Sequence, residues 1–124
     1  MNFEPILRKM VEGVSGAIGI ALMGSDGIPI AELYAPGVDA AAADGEVSAA
    51  GVEFGRILDE VRKAADAIGA GRLEETVIGL ARYWLLFRVV DEELFLVVAL
   101  EPRGNLGKAR FLMRRFLLDL QQQL

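Results

Sequence analysis

The stretch AIGIALMGSDGIPIA, residues 17–31, decides the fold that this sequence predicts. Residues 17–23 alternate bulky with small side chains, Ile18, Ile20 and Leu22 against Ala17, Gly19 and Ala21. This alternation predicts a strand with one bulky and one small face, and the small face favours a closely packed helix. Asp26-Gly27 predicts a tight turn because glycine readily adopts positive φ. Residues 28–34 are then the returning strand, in which Pro29 indicates an edge or a position near the strand end.

The segments that flank this hairpin are a helix and a loop. Before it, Asn2 is expected to cap a first helix and Gly13 or Gly16 to end it. The apolar residues of that helix recur at helical spacing: Phe3, Ile6, Leu7, Met10, Val11 and Val14. After the hairpin, residues 35–45 are rich in Pro, Gly and Ala and are predicted to form a loop.

A second helix has the strongest helical pattern in the chain. Its apolar stripe, which predicts the face toward the core, consists of Val47, Ala50, Phe54, Ile57, Leu58, Val61, Ala65 and Ile68. Arg56–Glu60 and Asp59–Lys63 are expected as ion pairs at i,i+4 on the opposite side. Gly69 and Gly71 mark the end of the helix.

The C-terminal half predicts three strands and a last helix. The strands are residues 73–80, 84–90 and 94–100, and the first two could also run as one long bent strand. Asn105 is expected to cap the final helix. The order αββαβββα predicts one α+β domain over residues 1–124, with a single five-stranded antiparallel sheet and helices on both faces.

Composition excludes several classes of function. The 124 residues include no cysteine and no histidine, so disulfides, thiolate sites and the usual neutral-pH general base are absent. The few hydroxyl residues stand in no nucleophile motif. We therefore expect a non-catalytic protein without cofactor or metal. The net charge of −5 argues against nucleic acid as the main partner.

Hydropathy gives a second set of expectations. The longest uncharged run, residues 13–25, is too short to cross a bilayer, so a cytoplasmic protein without membrane insertion is expected. A mean hydropathy of +0.37 is high for a monomer of 13.4 kDa. Apolar surface buried against a second copy would account for it.

Four short motifs have structural interpretations that we prefer. The glycines Gly13, Gly16 and Gly19 fit no nucleotide loop and are expected to ease a turn from helix to strand, and Gly107-Lys108 lacks the remainder of a P-loop. The acidic clusters 74–75 and 91–93 are interpreted as a polar strand start and a solvated turn.

A basic cluster lies near the C-terminus. It is interpreted as a solvated helix face, with an acidic partner or lipid head groups as the alternative: Arg103, Lys108, Arg110, Arg114 and Arg115.

The outward side of the second helix shows little bulk in its first turns. Ser48, Ala49 and Gly55 would let another backbone approach, and Val52 lies away from the core stripe. A stray exposed valine and a partner interface are both compatible with this pattern.

Three stretches together resemble the prokaryotic form of the roadblock/dynein light chain family. The first is the hairpin Gly19–Ala31, with its Asp-Gly turn followed by I-P-I-A. The second, residues 92–98, resembles the last strand of the family. The third, Gly104-Asn105-Leu106-Gly107-Lys108-Ala109-Arg110, is similar to the N-L-G-x-x-R that opens its final helix.

The resemblance implies a dimer and a class of partner. Roadblock domains associate through the second helix and the third strand, which places the dimer interface at Phe54, Leu58, Thr76, Ile78 and Leu80. They commonly bind or regulate Ras-like small GTPases, and they also serve as purely structural adaptors in larger assemblies. For a GTPase, we expect docking on the outward side of the second helix, at Ala49, Val52, Glu53, Gly55, Arg56 and Glu60.

Overall fold

Three helices and five strands follow one another in the predicted order. The computed structural model describes residues 2–39 and 45–124, so part of the predicted loop at 35–45 lies outside the described residues. The helices are α1 (Glu4–Glu12), α2 (Glu46–Ala67) and α3 (Leu106–Gln122). The strands are β1 (Ala17–Gly24), β2 (Pro29–Tyr34), β3 (Glu75–Gly79), β4 (Trp84–Val89) and β5 (Leu94–Leu100).

The five strands form one antiparallel sheet in the order β2-β1-β5-β4-β3. The α+β fold with a single five-stranded sheet is therefore confirmed. The link between β3 and β4 is a hairpin rather than one bent strand, because Gly79 pairs with Trp84 and Leu80 N donates to Tyr83 O at 3.0 Å. β2, which holds Pro29, lies at one edge as predicted, and β3 lies at the other.

The helices cover both faces of the sheet. Helices α1 and α3 lie on one face, where a large core joins their apolar sides to the sheet through residues such as Leu7, Met113 and Leu96. Helix α2 lies on the opposite face over a smaller core that includes Phe87 and Phe95. The sheet thus separates two layers with different helices.

A β-bulge changes which side chains of β1 face each layer. The pairing of β1 with β5 shifts register between Ala17 and Gly19, so Ile18 packs in the α2 layer while Ile20 packs with α1 and α3. The prediction that Ile18 and Ile20 share one face is wrong because a bulge reverses the alternation. The close helix on the small side is confirmed, since a Cβ at Gly19 would lie 3.0 Å from Val47 Cγ2.

The predicted turns and caps are confirmed with one shift. Gly27 has φ +88° in the β1–β2 turn, and Asn105 Oδ1 accepts from Lys108 N at 3.0 Å at the start of α3. At α1 the N-cap residue is Phe3, one position later than predicted. Asn2 still contributes, because its Oδ1 accepts from Glu4 N at 3.3 Å.

Gly16 allows two backbone segments to touch. It has φ +83°, and a Cβ there would lie 2.5 Å from Gly104 Cα. Hydrogen bonds join the same segments, from Glu101 N to Gly16 O at 2.8 Å and from Asn105 N to Ser15 O at 2.9 Å. Gly16 therefore serves the entry into β1, which agrees with the structural interpretation of the glycines.

Candidate functional site

Helix α2 buries only part of its apolar stripe. Val47, Ala50 and Leu58 are buried against the sheet. Farther along, Ile57 is 55% exposed, Ile68 is 79% exposed and Val61 is exposed as well. The prediction that the whole stripe belongs to the core is wrong for these three residues, because no strand among residues 2–39 and 45–124 covers them. We call Ile57, Val61 and Ile68 the α2 seam.

The N-terminus of α2 is held by a carboxylate from the edge strand β2. Glu32 Oε2 accepts from Ser48 Oγ at 2.7 Å and from Ser48 N at 2.8 Å, and Glu32 Oε1 accepts from Gly45 N at 3.1 Å. These bonds satisfy N–H groups that a helix start leaves without intrahelical partners. Ser48 is consequently buried, and its expected place on the outward side of α2 is wrong.

The neighbouring Tyr34 also supports this helix start. Its hydroxyl accepts from Val47 N at 3.4 Å. Burial raises the pKa of the Tyr34 phenol, and the backbone N–H of Val47 opposes that shift. The phenol is therefore neutral at physiological pH and adds no charge beside Glu32.

Two glycines bring α2 close to the sheet. A Cβ at Gly51 would lie 3.1 Å from Met23 Cγ, and one at Gly55 would lie 3.3 Å from Phe95 Cζ. Gly55 therefore faces β5, and its predicted place on the outward surface is wrong. The small residue at this position serves helix–sheet packing inside the chain.

The remaining members of the predicted docking set share one exposed surface of α2. Ala49 and Val52 supply its apolar part, and Glu53, Arg56 and Glu60 are charged and exposed. We call these five residues the α2 outer surface. Its ion pairs differ from the prediction: Arg56 binds Glu53, and Lys63 Nζ lies 3.2 Å from Glu60 Oε1.

A further predicted pair on α2 also differs. Asp59, expected to bind Lys63, instead lies 3.1 Å from the nearest guanidinium nitrogen of Arg62. The ion pairs within α2 join residues at i and i+3. Such residues are neighbours on a helix surface, as residues at i and i+4 are.

The predicted dimer residues lie on two elements. Phe54 is half-buried with its ring centroid 6.4 Å from that of Phe87, and Leu58 is buried in the core of the same chain. Thr76 and Ile78 on β3 and Leu80 just after it are half-buried, and Ile78 and Leu80 pack in the α2 layer. Within residues 2–39 and 45–124, β3 pairs only with β4, so its outer edge carries free backbone groups.

An ion pair that the sequence did not predict joins β3 to α3. Arg110 Nε lies 2.8 Å from Glu75 Oε1 and its Nη2 lies 2.9 Å from Oε2, with Arg114 Nη2 at 3.8 Å. The hydrogen bonds from Arg110 lower the pKa of Glu75, and those same bonds raise the pKa of Arg110. Glu75 is the first residue of β3, so the interpretation as a polar strand start is confirmed, and the ion pair is an additional contact. Because Glu75 and Arg110 are 35 positions apart, no local sequence pattern predicts that they form a pair.

The second acidic cluster is a turn, as predicted. Asp91 Oδ1 accepts from Glu93 N and from Leu94 N, both at 2.8 Å. Among the described residues, no group of three or more Asp, Glu, His or Cys side chains could hold a metal ion. No helix in the described part of the chain is long and apolar enough to cross a bilayer.

Comparison with solved structures identifies the fold. The chain matches MglC from Myxococcus xanthus at 28% identity over 100% of both chains, with a TM-score of 0.69. A Roadblock/LC7 domain from Streptomyces avermitilis matches at 14% identity over 99% of this chain and 98% of that domain, with a TM-score of 0.81. The chain has the fold of the roadblock-like proteins.

A third relative has the same roadblock-like fold. The gliding protein MglB from Thermus thermophilus matches at 20% identity over 93% of this chain and 79% of its own, with a TM-score of 0.73. MglB also occurs in a tetrameric arrangement. Neither the family models nor the curated proteins compared with this roadblock-like chain match it.

Proposed function

We propose that this roadblock-like protein forms a cytoplasmic dimer that binds a Ras-like small GTPase and modulates its nucleotide cycle without chemistry of its own. The observations that carry the proposal are the exposed α2 seam and the outer edge of β3, which pairs only with β4 among the described strands. An apolar helix stripe and an unpaired strand edge are both surfaces that a second chain covers.

The α2 seam has the geometry of a helix–helix contact. Ile57, Val61 and Ile68 stand at i, i+4 and i+11, so at 100° per residue they lie within about 40° of one another. Two antiparallel copies of α2 can bury such a stripe against each other, while the two β3 edges extend the sheet. Phe54, Ile78 and Leu80 are only partly buried in the α2 layer, which would leave part of each for this contact, whereas Leu58 is buried within the chain.

The α2 outer surface supports docking of a third chain. Ala49 and Val52 form a small apolar centre, and Glu53, Arg56 and Glu60 form a charged rim. This arrangement is common in transient interfaces, which have an apolar centre and a polar rim. Arg56 and Val52 lie about 120° and 160° from the centre of the α2 seam around the helix axis, so dimerisation would leave this surface accessible.

The mechanism that fits these surfaces is selective binding. A GTPase changes its switch loops with the bound nucleotide, and a partner that prefers one loop conformation shifts the population toward it. The α2 outer surface supplies contacts and charges for such a preference. The family resemblance supplies the class of partner and implies a GTPase that carries its own catalytic groups.

A pull-down with a Ras-like GTPase of the same organism, loaded with GTP or with GDP, tests the proposal. We expect the immobilised protein to retain one nucleotide form at least about tenfold better than the other. Val52→Asp places a charge at the apolar centre and should abolish retention. Leu118→Glu on α3, outside the α2 layer, is the matched control and should retain the GTPase normally. Equal retention of both forms would instead indicate a structural adaptor.

A further inference from the structure

Helix α3 carries an unpartnered apolar ridge on its outward side. Phe111 is 56% exposed and Leu118 is 60% exposed. Seven residues apart on one helix, they lie within about 20° of each other around its axis. Single exposed apolar residues are ordinary, but two large ones aligned two turns apart present apolar surface on the same outward side of the helix.

The ridge is bordered by basic side chains. Arg114 and Arg115 lie about 40–60° to either side of it around the helix, and Lys108 Nζ lies 5.5 Å from the centroid of the Phe111 ring. The segment 103–119 contains five basic residues and one acidic residue, Asp119, in a chain with a net charge of −5. Arg114 lies 3.8 Å from Glu75 and Arg110 binds the same carboxylate, so one acidic group is shared by two guanidinium groups. Phe111, Leu118, Lys108, Arg114 and Arg115 together are called the α3 ridge.

Helix α2 lies on the other face of the sheet and has a net negative charge. It carries five acidic residues, Glu46, Glu53, Asp59, Glu60 and Asp66, and three basic ones, Arg56, Arg62 and Lys63. The sheet separates them from α3. Because salt screens charges over about 10 Å at 0.1 M, an approaching surface responds to the nearby face rather than to the net charge. The α3 ridge therefore attracts anions although the whole chain is acidic.

We propose that the α3 ridge binds the surface of an anionic lipid bilayer. Phe111 and Leu118 would enter the interface between head groups and acyl chains, and Lys108, Arg114 and Arg115 would contact lipid phosphates. The shape favours a bilayer over an acidic protein segment. Recognition of an amphipathic segment needs an apolar groove, whereas the α3 ridge lies along the crest of the outer layer. A nearby cavity of about 70 Å³ is lined on the α3 side only by Leu117 and Gln121. Both residues lie on the side of the helix that meets the sheet.

Co-sedimentation of the full chain with vesicles tests the assignment. With vesicles of phosphatidylcholine and phosphatidylglycerol, we expect a bound fraction that rises with the phosphatidylglycerol content and falls with salt. Vesicles of phosphatidylcholine alone should retain roughly tenfold less protein. Equal binding to both vesicle types, or binding to neither, would overturn the assignment.

Charge and apolar variants locate the contact. Leu118→Glu should lower the bound fraction about tenfold, whereas Ile28→Glu, at a residue 62% exposed in the β1–β2 turn, should leave it unchanged. Arg115→Glu should likewise weaken binding, with Arg56→Glu on α2 as the charge-matched control. Equal losses in test and control variants contradict the proposal.

If the wild type does not bind vesicles but binds an acidic amphipathic peptide, the α3 ridge is a protein-binding surface and the bilayer assignment is wrong.

This test is independent of the proposed GTPase partner. Val52→Asp, which should abolish GTPase retention, changes only the α2 layer and should leave vesicle binding intact. A failed pull-down together with normal vesicle binding would therefore refute the first proposal and leave the second standing.

Discussion

Glu75 is an acidic residue whose folded environment favours its charged form. Hydrogen bonds from Arg110 lower the pKa of its carboxyl. A carboxyl with a lower pKa in the folded than in the unfolded state stabilises the fold above the unfolded pKa of about 4.3, and that contribution is lost as the pH falls through the folded pKa. We therefore expect Glu75→Gln to lower Tm by a few degrees at pH 7 and by progressively less below pH about 4.

The neighbouring Glu74 provides the control. Its side chain is exposed, so Glu74→Gln should change Tm little at any pH. Thermal unfolding followed by circular dichroism between about pH 3 and pH 7 covers the range of interest. A pH-independent deficit in Glu75→Gln would mean that the charge of Glu75 contributes nothing and that only packing was lost.

Gly16 is the residue whose substitution should damage the fold most. A side chain there meets both an unfavourable φ of +83° and a Gly104 Cα at 2.5 Å. We expect Gly16→Ala to lower the free energy of unfolding by about 3 kcal/mol or more. Gly71→Ala, at φ +90° but with nothing within 4 Å of its Cβ, should cost only about 1–2 kcal/mol. Urea denaturation of both variants measures the difference, and similar losses would show that the approach of Gly104 is unimportant.

Helix α2 shows which features sequence patterns can predict and which they cannot. The stripe from Val47 to Ile68 correctly predicted the helix and its apolar side. It could not show where the underlying sheet ends, because periodicity reports the direction of side chains and not what covers them. The α2 seam was therefore assigned to the core. The same limit explains Gly55, whose contact with Phe95 depends on how α2 is placed over β5.

Long-range polar contacts were the other features missed at the level of elements. The Asn105 cap was predictable because its partner is three residues away. The hydrogen bonds between Glu32 and Ser48 join residues 16 positions apart in the sequence, and those between Arg110 and Glu75 join residues 35 positions apart. Sequence spacing carries no signal for such pairs, since they depend on how strands and helices are stacked.

The α2 seam supports a prediction about association. Ile57→Lys places a cation in the seam and should weaken the dimer at least about tenfold. The exposure of Ile57 in the single chain means that the monomer fold should survive. Ile78→Lys should also weaken the dimer if the β3 edge takes part.

Sedimentation velocity at micromolar concentrations measures this change. Val52→Lys, on the same helix but outside the seam, is the control and should sediment as the wild type does. A wild-type chain that sediments as a monomer, or an Ile57→Lys variant that dimerises normally, would contradict the proposed interface.

The protein could accelerate GTP hydrolysis by a GTPase in two ways, by positioning the GTPase or by contributing an arginine to the reaction. Arg56 lies on the α2 outer surface and pairs with Glu53. An inserted arginine is typically worth about a thousandfold or more in hydrolysis rate. We favour positioning and expect Arg56→Ala to weaken affinity modestly while leaving the hydrolysis rate at saturation nearly unchanged.

Single-turnover GTP hydrolysis at increasing concentrations of the protein separates these effects. The matched variant is Arg62→Ala, farther along α2, which should behave as the wild type does. If Arg56→Ala lowers the saturated rate about a hundredfold with intact binding, the arginine acts directly and the positioning mechanism is wrong.

The place of β1 inside the sheet, between β2 and β5, has a consequence for folding during synthesis. β1 pairs with β5, and seven of its eight residues are buried. Yet β5 begins about 70 residues after β1 ends, so at about 5–20 residues per second β1 waits roughly 4–14 s on the ribosome for its main partner. During that time an apolar strand edge is open to other nascent chains. Slower codons between residues 25 and 93 should therefore increase aggregation in the cell, whereas equally slow codons before residue 17 should not.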